Sequence, residues 1–244
     1  MARVPGWMLA GAIITGVTMA VAGCGGGPAK PAATLTPAGS AASSSPSAQA
    51  AGGGGKPAQA PPGGFQWVGG PQSVWLAVPD SWIGLNLAKI TLSQAASRFA
   101  VKGTNVNGAS LAADIKQLKK LHALMVEDPA SALKPPHFAV NINAYCIPTP
   151  IQLIGKSAGP LMSVLRAQYA PFNPQHLSLA RTRIDGDPAV KATLTLSTTA
   201  GSLTEQQFNV LTQSGRLCTI TMSTETPARS FPVFARIAST IQAA

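Results

Sequence analysis

The chain has 244 residues, 45% hydrophobic and 11% charged, and its 18 Lys and Arg against 8 Asp and Glu give a formal charge of +10. Charge this sparse argues against a highly charged disordered polymer, and three Cys with three His leave too little material for a disulfide-stapled miniprotein or a metal cluster. No reaction is legible in these numbers.

Met1 to Gly6 carries one side-chain charge, Arg3, ahead of the apolar run Trp7–Ala20. That run is short and glycine-rich for a membrane span of roughly 20 residues, and it has the build of a signal-peptide core. It ends in Val21-Ala22-Gly23-Cys24, small residues before a lone Cys, which resembles the bacterial lipobox. In that chemistry the Cys sulfur takes a diacylglycerol, the chain is cut before it, and the new terminus takes a further acyl group such as palmitate. The expectation is a signal peptide over residues 1–23 and a lipid anchor at Cys24, with the cell membrane as first partner. The plainer alternative is an ordinary export signal in which Cys24 is incidental.

Gly25 to Gly64 contains no aromatic residue, one large aliphatic (Leu35) and two charges (Lys30, Lys56). Such a tract cannot bury enough surface to offset chain entropy, so residues 24–64 are expected to be a disordered tether spanning on the order of 35 Å. Every aromatic except Trp7 lies beyond Gly64, which places one folded domain over residues 65–244. A domain of this size buries roughly 70% of its unfolded surface.

Within it, Ser73–Val78 reads as a strand stopped by Pro79-Asp80. Leu111, Ile115, Leu118, Leu121, His122 and Met125 recur at helical spacing behind Ser110, a candidate N-cap. Phe138, Val140, Ile142, Ala144 and Cys146 alternate with Ala139, Asn141, Asn143 and Tyr145, the pattern of a half-buried strand. Ser157–Ala170 reads as a helix with Pro160 in its first turn and Pro171 ending it. Two hairpins follow, Leu177–Ile184 with Val190–Ser197 around Asp185-Gly186, and Glu205–Gln213 with Arg216–Thr224 around Ser214-Gly215. Phe231, Phe234, Ile237 and Ile241 give the closing helix its apolar face. The sum is an α+β fold, an antiparallel sheet flanked by helices.

Three of these stretches, Val78-Pro79-Asp80-Ser81-Trp82, the Gly215-Arg216 hairpin and Phe231-Pro-Val-Phe-Ala-Arg-Ile237, resemble the PsbP-like (Mog-type) α/β/α sandwich. More narrowly the chain is similar to the mycobacterial Lpq-type lipoproteins. The resemblance spans most of the chain beyond Gly64 and implies a non-enzymatic cell-envelope role with envelope lipids or transport machinery. It carries over no catalytic or metal-binding residue.

The chemistry-bearing residues are few. Gly155-Lys156-Ser157 ends like a P-loop, but Pro150 stands where the pattern needs its first Gly. Asp185-Gly186-Asp187 is two carboxylates at a hairpin tip, too few oxygens for calcium. His122, His137 and His176 show no zinc spacing, and no Ser sits in G-x-S-x-G. No cofactor or metal is expected. Lys116, Lys119 and Lys120 form a basic strip on the first helix, and Arg181 and Arg183 project together from a strand. Beyond Arg3, Lys30 and Lys56 there are 15 basic and 8 acidic residues, net +7, a balance suited to anionic partners such as phospholipid headgroups rather than nucleic acid. A merely solvated basic face is the competing reading of those five residues.

With Cys24 taken by lipid, Cys146 and Cys218 are an even pair on the apolar sides of their strands in an oxidising compartment. They are expected to form a disulfide if the strands are neighbours, and otherwise to stay buried thiols. The leading functional expectation is a lipid-anchored, non-catalytic binding or accessory protein on the outer face of the cytoplasmic membrane. It would engage an envelope lipid or an envelope protein complex. The alternatives are an envelope hydrolase with Ser, His and Asp assembled by the fold, and an acyl-chain carrier with a cavity between sheet and helix.

Overall fold

The computed structural model describes residues 55–86, 116, 118–131, 139–150, 153, 157–198 and 201–243. The signal segment, Cys24, most of the tether, the start of the first helix, His137 and Lys156 lie outside them. No described helix is long and apolar enough to cross a membrane.

Among the described residues, ten strands form two antiparallel sheets. The small sheet has the order β1-β2-β10, built from Phe65–Gly69, Val74–Pro79 and Gln242–Ala243. The large sheet has the order β3-β4-β5-β9-β8-β7-β6. Its strands are β3 (Ile83–Asn86), β4 (Leu124–Glu127), β5 (Asn141–Pro148), β6 (Gln175–Ile184), β7 (Asp187–Thr198), β8 (Gly201–Leu211) and β9 (Arg216–Thr224). Among the described residues, α1 (Ala158–Tyr169) and α2 (Pro227–Ala238) are the helices that pack on the large sheet. This is the α+β class.

The two helices lie on opposite faces of the large sheet. On one face Phe234 and Ile237 of α2 join Val74, Leu76 and Val78 of β2. All five pack on Ile142, Ala144 and Cys146 of β5, Phe208 and Val210 of β8 and Ile220 and Met222 of β9. On the other, Leu161, Leu165 and Tyr169 of α1 pack on Val190, Ala192 and Leu194 of β7 and on Leu203 and Leu217. A strand covered on both faces has no solvent side.

That cover corrects one expectation. Every residue from Ile142 to Cys146 is buried, so β5 is a central strand and not a half-buried one, and it starts at Asn141 rather than Phe138. A second correction concerns the first helix, which does not run on to Met125. Lys116 and Leu118–Lys120 are helical, His122 then takes φ 49°, and Leu124–Glu127 is strand β4. The His122 N–H bonds to Lys119 O (3.1 Å) and the Ala123 N–H to Leu118 O (2.9 Å), the two bonds of a Schellman cap. Leu118 and Met125 keep their apparent helical spacing because both pack on Tyr145 across that turn.

The later hairpins form around Asp185-Gly186 and Ser214-Gly215 as the turn chemistry demands. Cys146 and Cys218 stand directly opposite each other in the β5–β9 register and are joined by a disulfide, at a sequence separation of 72. The end of the tether is tied to the domain. The Trp67 indole N–H donates to Gln59 O (2.8 Å), and Phe65 N–H to Pro62 O (3.0 Å).

Candidate functional site

A groove of about 400 Å³ opens where the β1–β2 hairpin meets the end of the first helix. The hairpin brings Trp67 and Trp75 to one face, because Gly69 is the register partner of Trp75 and Ala77 that of Trp67. Gly69 is required there. It has φ 143°, and a Cβ at this position would stand 2.1 Å from Val74 O. Both indoles are half-buried, and the Trp75 Nε1–H is buried with no hydrogen-bond partner among the described residues.

The opposite wall is Lys119, His122, Ala123 and Leu124, and the Schellman turn presents it. Its left-handed residue is a histidine, so the turn carries an exposed imidazole where glycine would leave bare backbone. The floor, Gly70 to Ser73, is pinned from the large sheet. Arg216 Nη2 donates to Gln72 O (2.6 Å), and Ser73 Oγ to Ala144 O (3.3 Å). Aromatic walls with a few fixed polar groups are the usual build of a ligand site.

The sequence-predicted basic residues do not form one patch. Lys116, Lys119 and Lys120 lie on the helical turn that leads into β4, near the β3 edge of the large sheet, whereas Arg181 and Arg183 lie on β6, its opposite edge. Only Lys119 reaches the groove. Arg183 Nη1 donates to Gly186 O (2.7 Å), so its charge closes the β6–β7 turn. Asp187 in that turn is buried, and burial raises its carboxyl pKa. His122 and His176 are separated in the same way as the basic residues. Among the described residues neither has a side-chain hydrogen bond to a hydroxyl or carboxylate, and none form a group able to hold a metal.

What sequence reading missed is polar and buried. On the α1 side of the large sheet, Glu205, Gln207 and Asn209 of β8 pair with Ser223, Thr221 and Thr219 of β9, and all six are buried. Thr219 Oγ1 donates to Asn209 Oδ1 (3.1 Å), Asn209 Nδ2 to Gln207 Oε1 (3.1 Å) and Gln207 Nε2 to Thr221 Oγ1 (2.9 Å). The Tyr169 hydroxyl of α1 donates to the same Gln207 Oε1. Ser223 Oγ donates to Glu205 Oε1 (3.3 Å), while Glu205 Oε2 has no partner among the described residues. Full burial pushes the Glu205 pKa up to about 8, against the lowering by Ser223. Burial also raises Tyr169, with a smaller push from Glu205.

An α+β protein with an aromatic groove and a buried polar ladder is the class these features define. No protein-family model matches the chain, and no curated protein matches it in sequence. Among solved structures it is similar to cyanobacterial PsbP (CyanoP) from Synechocystis sp. PCC 6803, over 74% of this chain and 93% of that one, at 13% identity and a TM-score of 0.44. A Pseudomonas aeruginosa protein of unknown function matches 50% of this chain and 83% of its own, at 10% identity and a TM-score of 0.38. Both scores are below 0.5, and the α+β assignment rests on strand order and register.

Proposed function

We propose that this chain is a lipid-anchored, non-catalytic binding or accessory protein of the cell envelope, PsbP-like in fold and related to the Lpq-type lipoproteins. Cys24 carries the anchor, residues up to about Gln59 are the tether, and the domain meets its partner through the groove. The observation that carries the reading is the groove itself, with Trp67 and Trp75 on one side, Lys119 and His122 on the other, and a buried indole N–H without a partner among the described residues. The partner it suits is anionic with an apolar part, as an envelope phospholipid is.

The test is binding of the mature chain without its acyl groups to vesicles with and without anionic phospholipid, read by indole fluorescence and flotation. Trp67→Ala and Lys119→Glu should each weaken binding to anionic vesicles by about tenfold or more. Equal binding by wild type and both variants would overturn the groove as the site. Failure of wild type to bind any vesicle, with an envelope protein captured in its place, would replace the lipid by a protein complex. Cys24→Ala should release the protein from membranes, and continued membrane attachment would overturn the anchor.

A further inference from the structure

A second cavity, of about 270 Å³, lies between α1 and the opposite end of the large sheet from the Glu205 row. The register gives it a polarity. Tyr145, Thr219 and Asn209 form one cross-strand row over β5, β9 and β8, and Ile147, Leu217 and Leu211 form the next. One end of the cavity is therefore polar, with Gln168 of α1 among its lining, and the other is apolar, walled by Ile147, Leu217, Leu153 and Leu161. Among the described residues that line it, none is charged.

The polar end is a row of neutral groups. Thr219 donates its one proton to Asn209 Oδ1 and stands opposite Tyr145 in the β5–β9 register. Asn209 donates to Gln207 Oε1 and also hydrogen-bonds the Tyr169 side chain. The row thus presents an incoming group with hydroxyl and amide dipoles and no net charge. Tyr145, Thr219 and Asn209 are each buried beyond nine-tenths. A charged head would enter this row without a counter-charge, whereas a hydroxyl supplies one acceptor and one donor.

We propose that this cavity is a binding site for an uncharged amphiphile, a hydrocarbon chain ending in a hydroxyl, seated head-first on the Tyr145–Thr219–Asn209 row. It is separate from the groove and does not depend on what binds there. The chain lies along Leu161, Leu165 and Leu217, with Pro150 and Leu153 also lining the cavity.

The test uses the full chain, uniformly ¹⁵N-labelled, titrated with 1-octanol, octanoate and octylammonium and followed by backbone amide shifts. Saturable shifts in β5, β9 and α1 are expected with 1-octanol, at an affinity about tenfold or more above either charged analogue. Val164→Trp fills the cavity from its half-buried rim and should abolish those shifts while the rest of the spectrum stays folded. Thr219→Val should narrow the preference for the alcohol, because it breaks the donor chain while keeping the volume. Non-saturating shifts, equal affinity for the three probes, or unchanged binding in a folded Val164→Trp protein would each overturn the proposal.

Discussion

The two faces of the large sheet are made from the same strands, one residue out of step, and they are built on different principles. The face toward β2 and α2 is apolar on β5 and β9 from Ile142 and Met222 to the Cys146–Cys218 bond that closes it, with Gln206 of β8 its buried polar exception. The face toward α1 is apolar only at β7 and the sheet's ends, and across β8 and β9 it is a ladder of Glu, Gln, Asn, Thr and Ser. Removing water from an apolar face is favourable in itself. Removing it from the ladder costs free energy wherever a partner is missing, and Glu205 Oε2 is such a place. One face is tolerant of its surroundings, and the other depends on them.

The sharpest way to break this contrast is pH. Glu205 has a folded pKa raised to about 8 from an ordinary value of 4.5, so between those limits the folded state holds a proton that the unfolded state has released. Stability from this group is complete below about pH 4.5, falls as pH rises, and levels off above about 8. The loss between pH 5 and 8 should be on the order of 4 kcal/mol. Denaturant melts of wild type and Glu205→Gln should diverge over that window, with the Gln protein the flatter. Parallel profiles would show that Glu205 titrates as an ordinary carboxyl. On the apolar face, converting Cys146 and Cys218 together to Ala should cost about 4 kcal/mol at any pH, for a closed loop of this length. An unchanged denaturation midpoint on reduction would remove the disulfide from the account. The smallest effect is Tyr169→Phe, which takes from Gln207 Oε1 one of its two donors and should cost about 1 kcal/mol. A loss near zero would mean that α1 is held by Leu161 and Leu165 alone.

How far the sequence could be read follows the same contrast. The β6–β9 meander was legible because Asp185-Gly186 and Ser214-Gly215 encode their turns locally. The helix over Ser157–Ala170 was legible too, because Pro160 and Pro171 bracket it. The short strands β1, β3, β4 and β10 were not, since two to five residues with no alternation carry little signal. Met125 was misread because His122, and not a glycine, takes the left-handed position that ends the first helix. The ladder was hidden for a deeper reason. Glu205, Gln207, Asn209, Thr219 and Thr221 have the alternation of a solvent face, and only the placement of α1 buries them. The groove was missed: two tryptophans flanking Gly69-Gly70-Pro71 are the signal that points to it, but its second wall comes from a turn that the helical spacing conceals.

The β1–β2 hairpin also decides how the molecule carries a mechanical load. Phe65 pairs with Pro79 at the open end of the hairpin, so tension on the chain ahead of Phe65 enters there and peels β1 off β2 one pair at a time. Peeling breaks hydrogen bonds singly, whereas shearing a ladder would break them together. The Trp67–Gln59 bond is the first fastening to take that strain, and Arg216, whose guanidinium holds Gln72 at the far end of the hairpin, is the last before the covalent clamp between β5 and β9. A pull from the N-terminal side would therefore open the wall that holds Trp67 and leave the large sheet closed.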